Sequence, residues 1–418
     1  MSTTDQPAVT LSLMDPAVQR CPYPFYEQLH AHCPVYRMPE TGFVLVTRVD
    51  DVRTVLADTD TFSNHAHTDE ALQSERAAVR RRLLAERGWV RADTLHSTDP
   101  PEHTRYRRLL NRVFSPRRVR DLAPTIEAVT RRLIDAFIDA GECEFYADFA
   151  HPLPGTIIAE QIGLDASDIG RFKAWGDAML APTARLMTDD ELLATVELEL
   201  EAQHHFARIF EARRTDRRDD IMSALVHAHE HEGDEPFTME ELQGLMLQFV
   251  TGGFETVTTG LTHAMRLLLE HPDQLALLRA DRSLMKGFVE EALRAESPVQ
   301  GQARVATRDT ELRGVAIPAG TTVIARFGAA NHDASEFADP ERFDIRRANA
   351  VNHLAFGGGV HYCIGAPLAR MEMHTAFTAL LDRTDDWAPA RPLEGLAELP
   401  TLWYLPMREL PLRFSKIG

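Results

Sequence analysis

The chain has 418 residues, 44% of them hydrophobic, enough to bury a sizeable core in one large domain. Its 45 basic against 63 acidic residues give a formal charge of -18, which excludes a general nucleic-acid binder, because phosphate contacts need a surplus of Lys and Arg at the contact surface. Four scattered cysteines without a CxxC pair exclude a disulfide framework or zinc ribbon; Cys21, Cys33 and Cys143 read as small core or surface residues.

The N-terminal stretch MSTTDQPAVTLSLMDPAV lacks both the pattern of a secretory signal and the roughly 20 apolar residues of a membrane span, so a cytoplasmic protein without membrane contact is expected. PVYRM (34–38) and GFVLVTR (42–48) are β-rich runs bounded by Pro and Gly, as in a hairpin. The highly charged stretch 74–90 reads as a solvated helix and loop. From 99 to 271 the pattern is mostly helical. DPPEHTRYRRLLNRVFSPRRVR (99–120) opens on a Pro-Pro helix start and sets His103 and Arg107 at i and i+4, on one helix face.

In the next long helix Thr238 and Glu241 predict a capping box, and the apolar residues from Leu242 to Val250 repeat at helical spacing until Gly252 and Gly253 interrupt them. Two glycines inside an apolar helix cost about 1 kcal/mol each against Ala, and an acid and a hydroxyl follow at once, Glu255 and Thr256. Two readings stay open: close packing on a neighbouring helix, or a local widening that seats a small ligand beside a proton relay. Glu291 and Arg294 at i and i+3 form, taken alone, an ordinary helix ion pair. Arg304 lies in the extended run GQARVAT. Further strands are expected in GVAIPAGTTVIA (314–325), as two short runs, and in LWYLPMRELPLRF (402–414). With no repeat, linker or composition break, the chain reads as a single domain over 1–418, mainly α with a small β portion.

FGGGVHYCIG (356–365) surrounds Cys363 with glycines that allow positive φ and close backbone approach, and helix formers begin just beyond Gly365. A thiol at a helix N-terminus is favoured as thiolate, so Cys363 is a candidate nucleophile, redox sensor or axial metal ligand, against an inert buried thiol. His361, two residues away in a tight loop, is badly placed as its catalytic base. A flat acidic cofactor would need counterions, and His103, Arg107, Arg304 and His361 supply donors, Arg being suited to paired hydrogen bonds with a carboxylate.

These segments, in this order, resemble the cytochrome P450 superfamily, especially its soluble bacterial members. Phe356, Gly359, Cys363 and Gly365 match the haem-binding signature, with His361 in a commonly shared place. Glu291 and Arg294 match the Glu-x-x-Arg pair, and Arg342 in DPERFD is the candidate third member of that structural network. Gly252, Gly253, Glu255 and Thr256 match the oxygen-binding groove, with Gly252 where many relatives have Ala and Val257 where they often have a second Thr. The likeness runs from about residue 15 to 414.

The resemblance implies the cytochrome P450 fold, a triangular helical prism around a buried haem b (iron protoporphyrin IX). It implies a monooxygenase that inserts one oxygen atom of O2 into a C–H bond. Cys363 would be the iron ligand, His103, Arg107, Arg304 and His361 would hold the haem propionates, and Thr256 with Glu255 would serve proton delivery. Electrons would come from NAD(P)H through a reductase and a ferredoxin or flavodoxin, docking where Arg105, Arg108, Arg112 and Arg117 offer positive charge. The expected substrate contacts are Trp89, Val90, Leu95, Leu247, Phe254, Val299, Gln300, Leu402 and Trp403; their mostly apolar character implies a small lipophilic substrate. A monomer is expected.

Overall fold

The computed structural model describes residues 9–65, 75–164, 169–184, 187–230, 234–393, 396 and 401–417. The chain packs as two compact units, one from His67–Val129 and Leu153–Glu255, the other from Met1–Ala66, Thr130–Pro152 and Thr256–Gly418.

The first unit is helical. Its longest helix, Asp189–Arg213, starts with a capping box: Thr188 Oγ1 accepts from the Glu191 amide at 3.3 Å and Glu191 Oε2 accepts from the Thr188 amide at 2.7 Å. Asp189, Asp190 and Glu191 place negative charge at the positive end of its dipole. The charged stretch forms the helix Glu75–Arg87, Ser74 lying outside the described residues. This helix is docked rather than solvated all round. Leu84 packs with Leu192, Val196 and Leu200, while Arg80 and, just beyond the helix, Arg91 both reach the buried Glu199 carboxylate at 2.6 and 2.9 Å. Two cations offset the cost of burying that one charge.

The expected capping box of the next long helix, Met239–Gly253, is present: Thr238 Oγ1 accepts from the Glu241 amide at 3.2 Å and Glu241 Oε2 from the Thr238 amide at 2.8 Å. Glu241 also accepts from Tyr106 Oη at 2.8 Å and Arg105 Nη1 at 2.6 Å. One carboxylate thereby ties the start of this helix to the helix Glu102–Val113.

The second unit holds all but one residue of the helix Glu255–Glu270, the helices Met285–Ala295 and Ala366–Arg383, and all the described β-structure. A five-stranded sheet runs in the order Val35–Arg37, Val44–Val46, Thr322–Ala325, Gln302–Ala306, Phe62–Ser63. The first two strands form the expected antiparallel hairpin. Val44–Val46 is buried along its whole length, and it pairs in parallel with Thr322–Ala325. The two runs of 314–325 both become strands but do not pair with each other. Val315–Ile317 instead closes a hairpin with Thr310–Leu312 across Arg313 (φ 48°) and Gly314 (φ 80°). Positive φ at both central residues matches the twist of the flanking strands. At the C-terminus only Pro411–Lys416 forms a strand, between Glu142–Glu144 and Thr384–Pro389, while Tyr404 makes a single bridge to Val299.

Candidate active site

Phe356 to Gly365 forms a loop that ends at the helix Ala366–Arg383, with Gly365 as N-cap and Pro367 in the first turn. The loop closes on itself: the Cys363 amide donates to the Phe356 carbonyl at 3.0 Å, and a short turn over Gly359–His361 brings the Tyr362 amide to the Gly359 carbonyl at 3.2 Å. Cys363 is exposed, at the positive end of the helix dipole. Not all the glycines serve one purpose. Gly357 (φ 67°) and Gly359 (φ 63°) hold left-handed backbone, whereas Gly358 is extended and Gly365 right-handed. A Cβ on Gly359 would stand 2.2 Å from the Leu56 carbonyl oxygen, so only glycine lets these two backbones meet.

Two proposed counterions belong to the same unit as the cysteine. Arg304 is buried on the strand Gln302–Ala306, and its Nη1 donates to the Ala303 carbonyl at 2.7 Å. His361 is half-buried in the turn that precedes Cys363. The other two, His103 and Arg107, lie one turn apart on the helix Glu102–Val113 of the helical unit, His103 buried and Arg107 half-buried. Burial, and then the Arg107 cation, push the His103 pKa down, so His103 is a neutral hydrogen-bond donor at neutral pH.

Within the second unit the donors fit a haem: a thiol carried at a helix N-terminus, a glycine-only backbone approach in the same loop, and buried Arg304 with half-buried His361, side chains suited to carboxylates.

The glycine pair ends one helix and the acid opens the next. Met239–Gly253 stops at Phe254 (φ -104°, ψ -68°), and Glu255–Glu270 resumes at once. A Cβ on Gly252 would meet no atom within 4 Å, while one on Gly253 would stand 3.0 Å from Ile158 Cδ1. Close packing thus applies to Gly253, while Gly252 faces open space. Glu255 and Thr256 are half-buried in the first turn after the break.

Glu291 and Arg294 are fully buried and joined by two hydrogen bonds, 2.7 and 2.9 Å. The third member expected from the sequence needs correction. Arg342 is exposed, its guanidinium 3.7 Å from Asp344, and it contributes only its carbonyl oxygen. Arg347 takes the place, with Nε 3.1 Å from both carboxylate oxygens of Glu291. Both arginines sit in one irregular segment, and sequence carries no signal for which of them turns inward.

One proposed substrate contact is also corrected. Gln300 is fully buried, accepting from Tyr26 Oη at 2.8 Å and donating to the Ser297 carbonyl at 2.8 Å, so its amide is spent on internal bonds. Leu402 and Trp403 pack on the N-terminal cluster around Leu13, Phe25, Tyr26 and Leu29, and the Leu402 carbonyl accepts from Arg326. Val299 packs against the core of the large sheet. Phe254 lies over Gly155, where a Cβ would stand 2.8 Å from its ring, and its ring centroid is 6.4 Å from that of Phe172. Trp89 is pinned through its backbone, amide and carbonyl bonded to the Gln203 side chain at 2.9 and 3.0 Å.

Val90, Leu95 and Leu247 are half-buried. The segment before Leu95 rests on the helix that carries Leu247: Gly244 lies under the Ala92 carbonyl, and Gln248 donates to Thr94.

The arginines expected to face a redox partner are largely paired within the helical unit. Arg105 bonds Glu241, and Arg108 and Arg112 both hold the buried Asp234. Arg117 is 86% exposed and only 3.8 Å from Asp121.

A family model described as "Cytochrome P450" matches residues 193–385. The cytochrome P450 monooxygenase PikC of Streptomyces venezuelae is 36% identical, the match covering 96% of each chain. The 6-deoxyerythronolide B hydroxylase of Saccharopolyspora erythraea is 36% identical over 74% of this chain and 78% of its own. Among solved structures, a cytochrome P450 from Chondromyces apiculatus superposes with a TM-score of 0.85 at 31% identity, covering 97% of this chain and 98% of its own. No helix among the described residues is long and apolar enough to cross a membrane. With glycine-cradled cysteine, broken helix and buried Glu-Arg pair in place, the chain belongs to the cytochrome P450 superfamily and is a haem-dependent monooxygenase of the bacterial type.

Proposed function

We propose that this chain binds haem b through Cys363 and hydroxylates a C–H bond of a small lipophilic substrate, using one oxygen atom of O2 and electrons passed from NAD(P)H by a ferredoxin or flavodoxin. The observation that carries the reading is the exposed Cys363 thiol at the head of the helix Ala366–Arg383, in a loop whose Gly359 admits no side chain. Haem held by a thiolate supplies oxygen activation, because the sulfur pushes electron density toward the iron and favours O–O cleavage. The protein's own part is position, protons and exclusion of water.

His103, Arg107, Arg304 and His361 are the proposed propionate donors. Thr256 is proposed to hold a proton-carrying water by its hydroxyl, and Glu255, next to it in the same half-buried turn, to exchange protons with solvent. The half-buried apolar residues Val90, Leu95, Leu247 and Phe254 support a lipophilic substrate, and the hydroxylase and monooxygenase names of the relatives support the reaction. A single domain over 1–418 is part of the same reading, supported by the near end-to-end match to PikC; a monomer is tested by sedimentation.

The decisive test is the absorption spectrum of the reduced, carbon-monoxide-bound protein, with Cys363→Ser beside it. A thiolate-type Soret band that Cys363→Ser abolishes is expected; the same band in both proteins would overturn the ligand assignment. Turnover is then compared with ferredoxin plus reductase and with peroxide. Thr256→Ala should keep the spectrum and divert electrons from product to peroxide. Turnover with peroxide alone would replace the ferredoxin scheme with a peroxygenase.

A further inference from the structure

Arg370 stands one turn into the helix that follows Cys363 and touches the cysteine loop at two points. Its guanidinium carbon lies 4.5 Å from the ring centroid of Phe356, and its Nη1 donates to Tyr362 Oη at 3.0 Å. The Phe356 carbonyl accepts a hydrogen bond from the Cys363 amide, and Tyr362 precedes Cys363 in the chain. The two residues also contact each other edge to face, 6.3 Å between centroids. One cation therefore grips both ends of the segment that carries the sulfur.

Arg370 is itself fixed from behind. Its Nε and Nη2 donate in parallel to Oε1 and Oε2 of Glu290, at 2.7 and 2.9 Å, and Glu290 is buried on the helix Met285–Ala295. The third partner is His353, whose Nε2 is 3.1 Å from Glu290 Oε2. The Ala355 amide donates to His353 Nδ1 at 3.1 Å, which makes Nδ1 an acceptor and leaves the proton on Nε2, pointing at the carboxylate. Burial alone would raise the Glu290 pKa, but the hydrogen bonds from His353 and Arg370 win and hold it at about 2. The carboxylate is charged throughout the working pH range, and the clamp does not titrate away.

A planar guanidinium can make paired bonds to a carboxylate and lie on a ring at once, which an ammonium cannot. Glu290 cancels most of the long-range field of Arg370, so what remains is mechanical.

We propose that Arg370, fixed by Glu290 and His353, is a positioning residue that holds Phe356 and Tyr362 and so sets the placement of the Cys363 sulfur. The inference rests on Cys363 being the haem ligand. Its consequence is that Arg370 controls how firmly sulfur stays in its thiolate-bound state and at what potential the iron is reduced, acting through the Phe356 ring.

The test uses the haem-loaded enzyme and reads three quantities. They are the position of the thiolate-type Soret band of the reduced carbon-monoxide complex, the rate at which it converts to the thiol-type band on mild warming, and the ferric/ferrous midpoint potential. Arg370→Gln should speed that conversion about tenfold, the worth of one well-placed cation–ring contact, and shift the potential. Arg370→Lys keeps the charge and should rescue only in part. In a Phe356→Leu background the further effect of Arg370→Gln should shrink several-fold, because only the hydrogen bond to Tyr362 is left to transmit it.

Equal effects of Arg370→Gln in both backgrounds, or a lowered melting temperature with unchanged band and potential, would overturn the proposal. Should Arg370→Gln fail to fold, Arg370→Lys and Tyr362→Phe, each of which spares the Glu290 charge, are read in the same way. A wild-type protein without the thiolate-type band would instead fail the ligand assignment, a different and distinguishable result.

Discussion

The Arg347 guanidinium lies against Glu291, with Nε 3.1 Å from each carboxylate oxygen, on a carboxylate that already holds Arg294 in the interior. Arg347 also donates to the carbonyls of Ala338, Asp339 and Arg342, at 2.6, 3.1 and 2.8 Å, so it stitches an irregular segment to the helix Met285–Ala295. Removing Arg347 leaves Glu291 paired with Arg294 alone and takes the guanidinium donor from three carbonyls, a loss on the order of 1–3 kcal/mol. Arg347→Ala should therefore lower the melting temperature strongly and release haem. Arg342→Ala, whose side chain is exposed, should change stability by less than about 0.5 kcal/mol. Equal losses in thermal unfolding would put the two arginines back on the same footing.

Glycines at the two candidate contacts with haem differ in what they tolerate. Alanine at position 359 would need left-handed backbone and would drive Cβ into the Leu56 carbonyl, costing more than about 2 kcal/mol. Gly359→Ala should yield protein that retains little haem. Gly252→Ala meets open space within a helix and should fold at least as stably as the parent, by up to about 1 kcal/mol. Haem content per chain and urea unfolding measure both, and a normal haem content in Gly359→Ala would remove the steric argument.

Asp234 has no exposed side-chain surface and receives both Arg108 and Arg112. Reversing either arginine would bring a second acid to a buried carboxylate, so Arg112→Glu should unfold at lower temperature whatever its effect on electron transfer. Arg117 is the cleaner probe of the proposed docking surface, since its pairing is long and solvated. Arg117→Glu should raise the KM for an acidic ferredoxin several-fold at low salt and leave the melting temperature and substrate-induced spectral shift unchanged. A KM that does not move at low salt would exclude Arg117 from that surface.

Glu372, on the buried face of the helix Ala366–Arg383, has an Oε2 with no hydrogen-bond partner among the described residues, and burial pushes its pKa up to about 8 from the usual 4.5. Between those two values the folded chain keeps a proton that the unfolded chain gives up. The stabilisation is thus full below 4.5 and is lost as the pH rises through about 8. At neutral pH the difference is worth on the order of 3 kcal/mol. The melting temperature of the parent should fall on raising the pH from about 5 to about 8, and Glu372→Gln should flatten that fall. Parallel profiles for the two proteins would mean that Glu372 is not an isolated buried acid.

The short-range features were legible in the chain itself. The capping box at Thr238 and Glu241, the hairpin over 34–48, the helix after Gly365, and the interruption at Gly252 and Gly253 each depend on residues within a few positions of one another. Local hydrogen bonding and backbone sterics decide such features, so spacing suffices to read them. The family likeness followed from several of these in fixed order.

What depended on distant pairing was decided by the tertiary structure alone. Nothing local separates Arg347 from Arg342, or marks Gln300 as an interior residue bonded to Tyr26, 274 positions away. The same holds for the two arginines that close on Glu199 and for the grip of Glu290 on Arg370, 80 positions apart. A charged or amide side chain has the same intrinsic preference for water wherever it stands in the sequence. Only the partner that folding brings to it makes its burial affordable, and that partner is fixed by the packing of the whole chain.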